Sequence, residues 1–262
     1  MSVEVEDRTV CLSPLWLESS LATKTLPTLL SLIAGSADVI SFLGFGGLFT
    51  AHITGNLVIL AAHVVRGDSA RLAPMLSVPV FAVVLVLTRL LAGGLEAIGI
   101  ASLRPLLLLQ FLLLGGFLVL SVAVGPRIDP NAANAILAGM LGVSAMAVQN
   151  ALVEVSLRGA PATSVMTTDI TRLMVDVGAV LFGRDPHNVT QARSRAHHTW
   201  PVIVGFVVGC GLGAWCQVAI GMWSLALPAG LALLALAMNF STQLQRDGAD
   251  ATRISFEHVP SQ

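Results

Sequence analysis

The stretch Leu106–Val124, with the sequence LLLLQFLLLGGFLVLSVAV, decides the class of this fold. It contains no charged side chain and approaches the roughly 20 apolar residues that a membrane-spanning helix requires. The rest of the chain has the same character, since 55% of its 262 residues are hydrophobic and only 11% are charged. A soluble domain carries about 25% charged residues. The sequence therefore predicts an integral membrane protein.

Apolar segments of two lengths follow one another along the chain. Six are long enough to span a membrane: Leu26–Phe49, Pro74–Leu95, Pro105–Val124, Ala132–Val153, Trp200–Ile220 and Trp223–Phe240. Two are poor spans, because Ile53–Val65 would make only about 20 Å of helix and Thr163–Phe182 is interrupted by charged side chains. We expect an all-α, polytopic transmembrane helical bundle with about six full spans and two short broken or re-entrant segments.

A short polar signature occurs twice. The first signature is Thr50–Leu57 (TAHITGNL) and the second signature is Thr163–Ile170 (TSVMTTDI). Both signatures contain two Thr residues four positions apart, followed two positions later by Asn or Asp. Each half of the chain also has its apolar segments in the same order, which is one long, one short and two long segments. This pattern predicts an internal duplication. The expected organisation is an N-terminal tail at 1–25, a first membrane repeat at 26–125, a second at 132–240 and a C-terminal tail at 241–262.

Two topologies fit the positions of Lys and Arg. Eight crossings would make two parallel repeats, whereas six crossings with two re-entrant segments would make inverted repeats. Both topologies place most of the positive residues on the side of both termini, which is then the cytoplasmic side. We favour the re-entrant topology because both short segments are poor spans.

The duplicated polar break predicts a solute or ion site, since transporters build such sites from broken helices at corresponding positions in two repeats. Asp38 is the most informative residue, because a carboxylate near the middle of a span is costly and usually functional. Asn150 is its approximate counterpart, and His52 could couple transport to protons because it titrates near neutral pH. The expected binding residues are Asp38, His52, Thr54, Asn56, Asn150, Thr167 and Asp169.

Other residues have expected structural roles. Arg89 lies within an apolar segment and could neutralise Asp38, while Arg172 is at helical spacing from both Asp169 and Asp176. A second group consists of small residues on one helix face, which permit close helix packing within the chain or in a homodimer: Gly205, Gly209 and Gly213.

Several classes of function have no support in the sequence. We find no nucleophile elbow, phosphate-binding loop or zinc-protease motif, so we do not expect an enzyme or a cofactor. The positions of Cys11, Cys210 and Cys216 predict neither a metal site nor a disulfide framework. A net charge of −1 gives no reason to expect a nucleic-acid partner.

Two sequence stretches carry a resemblance to a known family. Gly35–Gly44 (GSADVISFLG) followed by Phe49–Leu57 (FTAHITGNL) resembles the YoaK family of bacterial membrane proteins, whose function is unknown. Val148–Ala151 (VQNA), followed by residues 163–171, extends the resemblance to roughly residues 25–240. The resemblance implies a bacterial inner-membrane protein with about six spans, and it implies no substrate.

Together these features predict a secondary transporter or permease for a small polar solute or ion. We expect a multi-pass protein of the bacterial inner membrane with both termini in the cytoplasm. The competing hypothesis is a non-transporting scaffold or sensor that acts through a cytoplasmic loop at residues 183–199.

Overall fold

The computed structural model describes residues 15–66, 72–125, 129–157 and 166–240. Within these ranges the regular structure is helical throughout, with no strand, which confirms the all-α prediction. The helices are α1 (Leu15–Gly44), α2 (Ile53–Arg66), α3 (Leu72–Ala97), α4 (Leu103–Val124), α5 (Ala133–Ser156), α6 (Met166–Phe182), α7 (Pro186–Ile220), a 3₁₀ turn (Gly221–Leu225) and α8 (226–240). The predicted C-terminal tail and residues 1–14 lie outside the described residues.

Five helical segments of the described chain are long and apolar enough to cross a membrane. They are Thr25–Gly44, Leu72–Ala97, Leu103–Val124, Ala133–Ser156 and Pro186–Phe240. Large apolar side chains such as Leu90, Val119 and Trp215 are well exposed on these segments. Because a soluble protein rarely exposes so much apolar surface, these features indicate a membrane protein.

The two short segments form short helices. The 14 residues of α2 and the 17 residues of α6 correspond to about 21 and 26 Å of helix. Both are shorter than a hydrocarbon core of roughly 30 Å. The number of crossings and the duplication remain predictions.

The C-terminal end of α1 differs from the predicted segment, which extended to Phe49. The helix ends at Gly44, and both Gly46 and Gly47 adopt positive φ angles of 66° and 96°. The Gly47 amide donates to the Phe42 carbonyl at 2.9 Å, which closes the last turn. Because glycine alone enters this left-handed region without steric cost, the glycines turn the chain back along α1.

α1 packs closely against α7 through glycines. A Cβ atom on Gly205, Gly209 or Gly213 would come within 3.0 Å of backbone atoms of α1. The Ser31 hydroxyl of α1 also donates to the Val202 carbonyl of α7 at 2.7 Å. The small-residue face predicted for helix packing therefore contacts another helix of the same chain.

Helices from the two halves of the chain alternate in the bundle. α1 packs on α7 and α3 packs on α5, while α2 and α6 lie against α3 and α7, respectively. Ala229 and Ala232 of α8 share a core cluster with Leu30 and Ile33 of α1. This arrangement brings the end of α1 next to α7, where the candidate site lies.

The prediction of a loop at residues 183–199 is wrong for residues 186–199, which form the first part of α7. The helix begins with a cap, because the Asp185 carboxylate accepts a hydrogen bond from the His187 amide at 3.0 Å and Pro186 occupies the first turn. Polar composition concealed this helix, since most of its exposed side chains are polar or charged while Ala192 and Thr199 are buried.

Candidate functional site

Asp38 is buried in α1 and is held by the chain that folds back after the helix. Only 2% of the residue is exposed. Its Oδ1 atom accepts hydrogen bonds from the Thr50 amide at 2.8 Å, the Thr50 hydroxyl at 3.1 Å and the Ala51 amide at 2.6 Å. These donors offset much of the cost of burying a carboxylate.

His52 occupies the other oxygen of the same carboxylate. Its Nδ1 lies 2.5 Å from Asp38 Oδ2, and 34% of the His52 side chain is exposed, compared with 3% of the Asp38 side chain. His52 is therefore the more accessible member of this pair, because most of the Asp38 carboxylate is enclosed. The remaining imidazole nitrogen, Nε2, has no hydrogen-bond partner in the described part of the chain.

A cleft of about 390 Å³ opens beside this pair. We call it the His52 cleft, and its lining residues are Asp38, Val39, Phe49, His52, Thr54, Gly55, Val58, Phe206 and Cys210. The rings of Phe49 and Phe206 lie 6.0 and 5.4 Å from the imidazole, centroid to centroid. The walls are therefore mainly apolar, and His52, Thr54 and Cys210 provide most of the polar atoms.

Gly55 is needed for the shape of the cleft. A Cβ atom at this position would lie 2.9 Å from Cδ2 of Phe49. A side chain here would displace the Phe49 ring, which lines the same cleft. The glycine of the first signature therefore makes room for an aromatic wall.

Asn56 has a different position from the one expected, because it does not line the His52 cleft. It is completely buried, and its Oδ1 accepts from the Phe49 amide at 2.8 Å. Its Nδ2 donates to the Phe49 carbonyl and to the Ser77 hydroxyl, both at 2.8 Å. Asn56 thus joins the turn before α2 to α3.

The second signature lies elsewhere. Thr167 is exposed and its carbonyl accepts a hydrogen bond from the Thr171 hydroxyl at 2.8 Å, while Asp169 is buried on α6. Asn150, on α5, donates to the Met146 carbonyl at 2.8 Å. Asn150, Thr167 and Asp169 are all absent from the lining of the His52 cleft. Residues 163–165 lie outside the described ranges.

The charged residues also form partnerships that differ in part from the expected ones. Asp38 contacts His52 rather than Arg89, which is exposed on α3. Arg172 Nη1 lies 4.0 Å from Asp169 Oδ1. Asp176 accepts three hydrogen bonds from Arg195, one from Nη2 at 2.6 Å and two from Nε at 3.1 and 3.3 Å.

Sequence reasoning missed Thr50, Phe206 and Cys210 as site residues. Thr50 was part of the first signature, but its role depends on the reversal of the chain after α1. Phe206 and Cys210 directly follow Gly205 and Gly209, so the glycine spacing could have shown that they lie near α1. Among the described residues, no group of three or more His, Cys, Asp or Glu could hold a metal ion.

Comparisons with known proteins give a family but no characterised relative. Neither the curated proteins nor the solved structures include a match to this chain. A family model described as "Protein of unknown function (DUF1275)" matches residues 26–238, which include the two signatures. The closer resemblance to YoaK-like bacterial proteins remains a prediction. The match covers most of the chain, and the protein therefore belongs to the DUF1275 family.

Proposed function

We propose that this protein is a membrane transporter or permease for a small polar solute or ion, with its binding site in the His52 cleft. The observation that carries the proposal is the buried Asp38–His52 pair, whose imidazole is accessible from the cleft while its carboxylate is enclosed. A purely structural ion pair would gain nothing from an accessible imidazole. Ionisable groups at membrane depth usually mark a solute or proton pathway.

The fixed geometry of the pair gives His52 a defined chemical role. Nδ1 faces the carboxylate, so exchange with a solute or a proton takes place at Nε2. A histidine can change its protonation state near neutral pH. Adding a proton to Nε2 changes the net charge of the Asp38–His52 pair from −1 to zero. The pair can therefore link occupancy of the cleft to a proton gradient.

The position of the cleft between the two halves of the chain is the second observation that supports the proposal. The cleft lies between α1 and α2 of the first half and α7 of the second half. In transporters built from two repeats, one repeat rocks against the other around a central site. A shift of α7 relative to α1 would change access to His52 directly.

The test is a flux measurement on purified protein in phospholipid vesicles that contain a pH-sensitive dye. We expect gradient-driven movement of at least one member of a panel of neutral, anionic and cationic solutes. His52→Gln should reduce this movement by about a hundredfold or more, the rate loss typical of removing a proton-transfer group. His63→Gln is the matched control, because His63 lies on α2 but does not line the cleft.

A wild-type rate equal to that of empty vesicles for the whole panel would overturn the proposal. The sensor hypothesis would then take its place, with the polar part of α7 at residues 186–199 as the output surface. Equal elution profiles and melting temperatures of both histidine variants would show that the loss of flux is not a loss of folding.

The proposed location is a bacterial inner membrane with both termini in the cytoplasm and re-entrant α2 and α6. The positions of Lys and Arg and the short lengths of these two helices support it. A cysteine introduced at Asp68 should react with a membrane-impermeant reagent added from the periplasmic side. Reaction only from the cytoplasmic side would contradict the re-entrant topology.

A further inference from the structure

The charge of the His52 cleft restricts the kind of solute that it can hold. Asp38 is the one acidic residue of the lining, its carboxylate is surrounded by hydrogen-bond donors, and the lining includes no Lys or Arg. The other titratable groups are His52 and, from α7, the neutral thiol of Cys210. The net charge is therefore −1 with neutral His52 and zero with protonated His52. In neither protonation state is the cleft positive.

Neighbouring elements do not change this balance. α2 contributes Thr54, Gly55 and Val58 to the lining, and its titratable residues His63 and Arg66 lie in its last turn. At 1.5 Å per residue, that turn is about 16 Å further along the helix than His52. Further contacts with the turn before α2 come from Gly142 of α5 and Ser77 of α3, which are both neutral.

From this charge balance we infer that the His52 cleft binds a small organic cation with N–H donors, such as an alkylammonium or a guanidinium, and exchanges it for a proton. The inference rests on the proposed transport function and specifies its substrate class. An anion is disfavoured because the Thr50 and Ala51 amides, which could bind it, already donate to Asp38. A cation instead gains the attraction of a carboxylate in a medium of low dielectric constant.

The lining also favours an organic cation over a bare metal ion. With its proton on Nδ1, neutral His52 offers Nε2 as an acceptor for an N–H group. The faces of Phe49 and Phe206 attract positive charge, while Val39 and Val58 accommodate an alkyl group. Hard metal cations require about six oxygen ligands, and the cleft provides few oxygen atoms.

Exchange follows from competition at a single atom. A proton on Nε2 converts this atom from an acceptor into a donor and removes the net negative charge of the pair. The organic cation then loses both its hydrogen bond and its electrostatic attraction. Proton and organic cation therefore exclude one another, and a one-for-one exchange of two single charges is electroneutral.

The experiment compares three probes of similar size in the vesicles described above, with an acidic lumen. Methylguanidinium is a permanent cation, methylurea is its neutral analogue and methanesulfonate is a permanent anion. We expect the wild-type protein to accumulate methylguanidinium and raise the pH of the lumen. Methylurea and methanesulfonate should enter at the rate seen with empty vesicles, and tetramethylammonium, which lacks N–H donors, should compete poorly.

A pair of charge variants tests the electrostatic argument without changing His52 or Asp38. Val58 lines the cleft and is 69% exposed, whereas Val65 on the same helix is 87% exposed and does not line it. Val58→Lys cancels the negative charge of the cleft and should lower methylguanidinium uptake by about tenfold or more, which is 1.4 kcal/mol or more of binding. Val65→Lys should retain the wild-type rate.

The possible outcomes separate this inference from the proposed function. Movement of methylurea or methanesulfonate without methylguanidinium would overturn the cation assignment and leave transport established. Methylguanidinium uptake that is unaffected by the proton gradient would overturn the exchange. An absence of movement of every solute would overturn the transport function itself.

Discussion

The acidic residues of the two halves are neutralised in different ways. Asp38, in the first half, is held by two backbone amides, a hydroxyl and an imidazole around a cleft. Asp169 and Asp176, in the second half, lie near the arginines of α6 and α7. Similar sequence patterns have therefore produced different local chemistry.

The groups that neutralise Asp38 are held more rigidly than the arginines that lie near Asp169 and Asp176. Backbone amides cannot move without changing the turn after α1, so the geometry around Asp38 is set before any solute arrives. The side chains of Arg172 and Arg195 are 67% and 59% exposed and can be solvated by water or lipid headgroups. Pre-organised groups are typical of functional sites, whereas the carboxylates of Asp169 and Asp176 are buried and depend on mobile side chains for their counter-charge.

The largest effect should come from removing the first carboxylate. Asp38→Ala should lower the free energy of unfolding by about 3–5 kcal/mol, because buried donors and His52 lose their charged partner. Asp176→Ala should cost about 1 kcal/mol, since Arg195 remains solvated. Denaturant unfolding in mixed micelles, followed by circular dichroism, measures both values. Equal losses of unfolding free energy in the two variants would contradict the view that Asp38 is held more rigidly than Asp176.

Exchanging the Asx residues of the two signatures should have a smaller and unequal effect. Asn56→Asp replaces a buried donor with an acceptor that faces the Phe49 carbonyl, and should cost about 3 kcal/mol. Asp169→Asn keeps the size of the side chain and removes its charge near Arg172, and it should cost less than Asn56→Asp. Thermal melting of both variants gives the comparison. A larger loss for Asp169→Asn would show that the second acid is the more constrained one.

Glycine substitutions compare the third helices of the two halves. A Cβ on Gly209 of α7 would collide with the Leu32 backbone, whereas a Cβ on Gly93 of α3 would meet no atom within 4 Å. Gly209→Ala should therefore cost about 2 kcal/mol through overpacking, and Gly93→Ala should stabilise the helix by about 0.5–1 kcal/mol. The same melting experiment tests both changes, and a stabilising Gly209→Ala would contradict the close contact of α1 with α7.

The smallest effect should follow from weakening the exposed ion pair. Arg195→Gln should lower the melting temperature less than the preceding destabilising substitutions, because Arg195 is exposed and glutamine can still donate to Asp176. High salt should weaken the wild-type Arg195–Asp176 pair by screening and so reduce the difference between wild type and variant. The Asp38–His52 pair, with its enclosed carboxylate, should be less sensitive to salt. A large salt-independent effect of Arg195→Gln would indicate a buried pair.

Much of the fold was predictable from the sequence because membrane helices follow from local composition. The apolar stretch Leu106–Val124 lies within α4, and the short segment predicted to begin at Ile53 is α2. The sequence predicted a loop where the chain is polar but helical, as at residues 186–199. It also extended the first segment beyond Gly44, because the apolar side chains continue past the glycine turn.

The candidate site was predictable only in part. Asp38, His52 and Thr54 line the cleft. Asn56 does not line it, because its amide binds the turn and Ser77 instead. The binding roles of these residues stay predictions. The second signature was assigned to the same site by analogy between the halves, although its described residues do not line the cleft.

The sequence by itself determined the helical class, the apolar character and the identity of the polar residues placed among apolar ones. These features follow from the residues of each segment taken alone and from whether that segment is stable in water or in lipid. Only the tertiary structure decided that Asp38 pairs with His52 and that Phe206 and Cys210 complete the cleft. Both results depend on a turn that reverses the chain and on the glycine-mediated approach of α7, which bring together atoms that are far apart in the sequence.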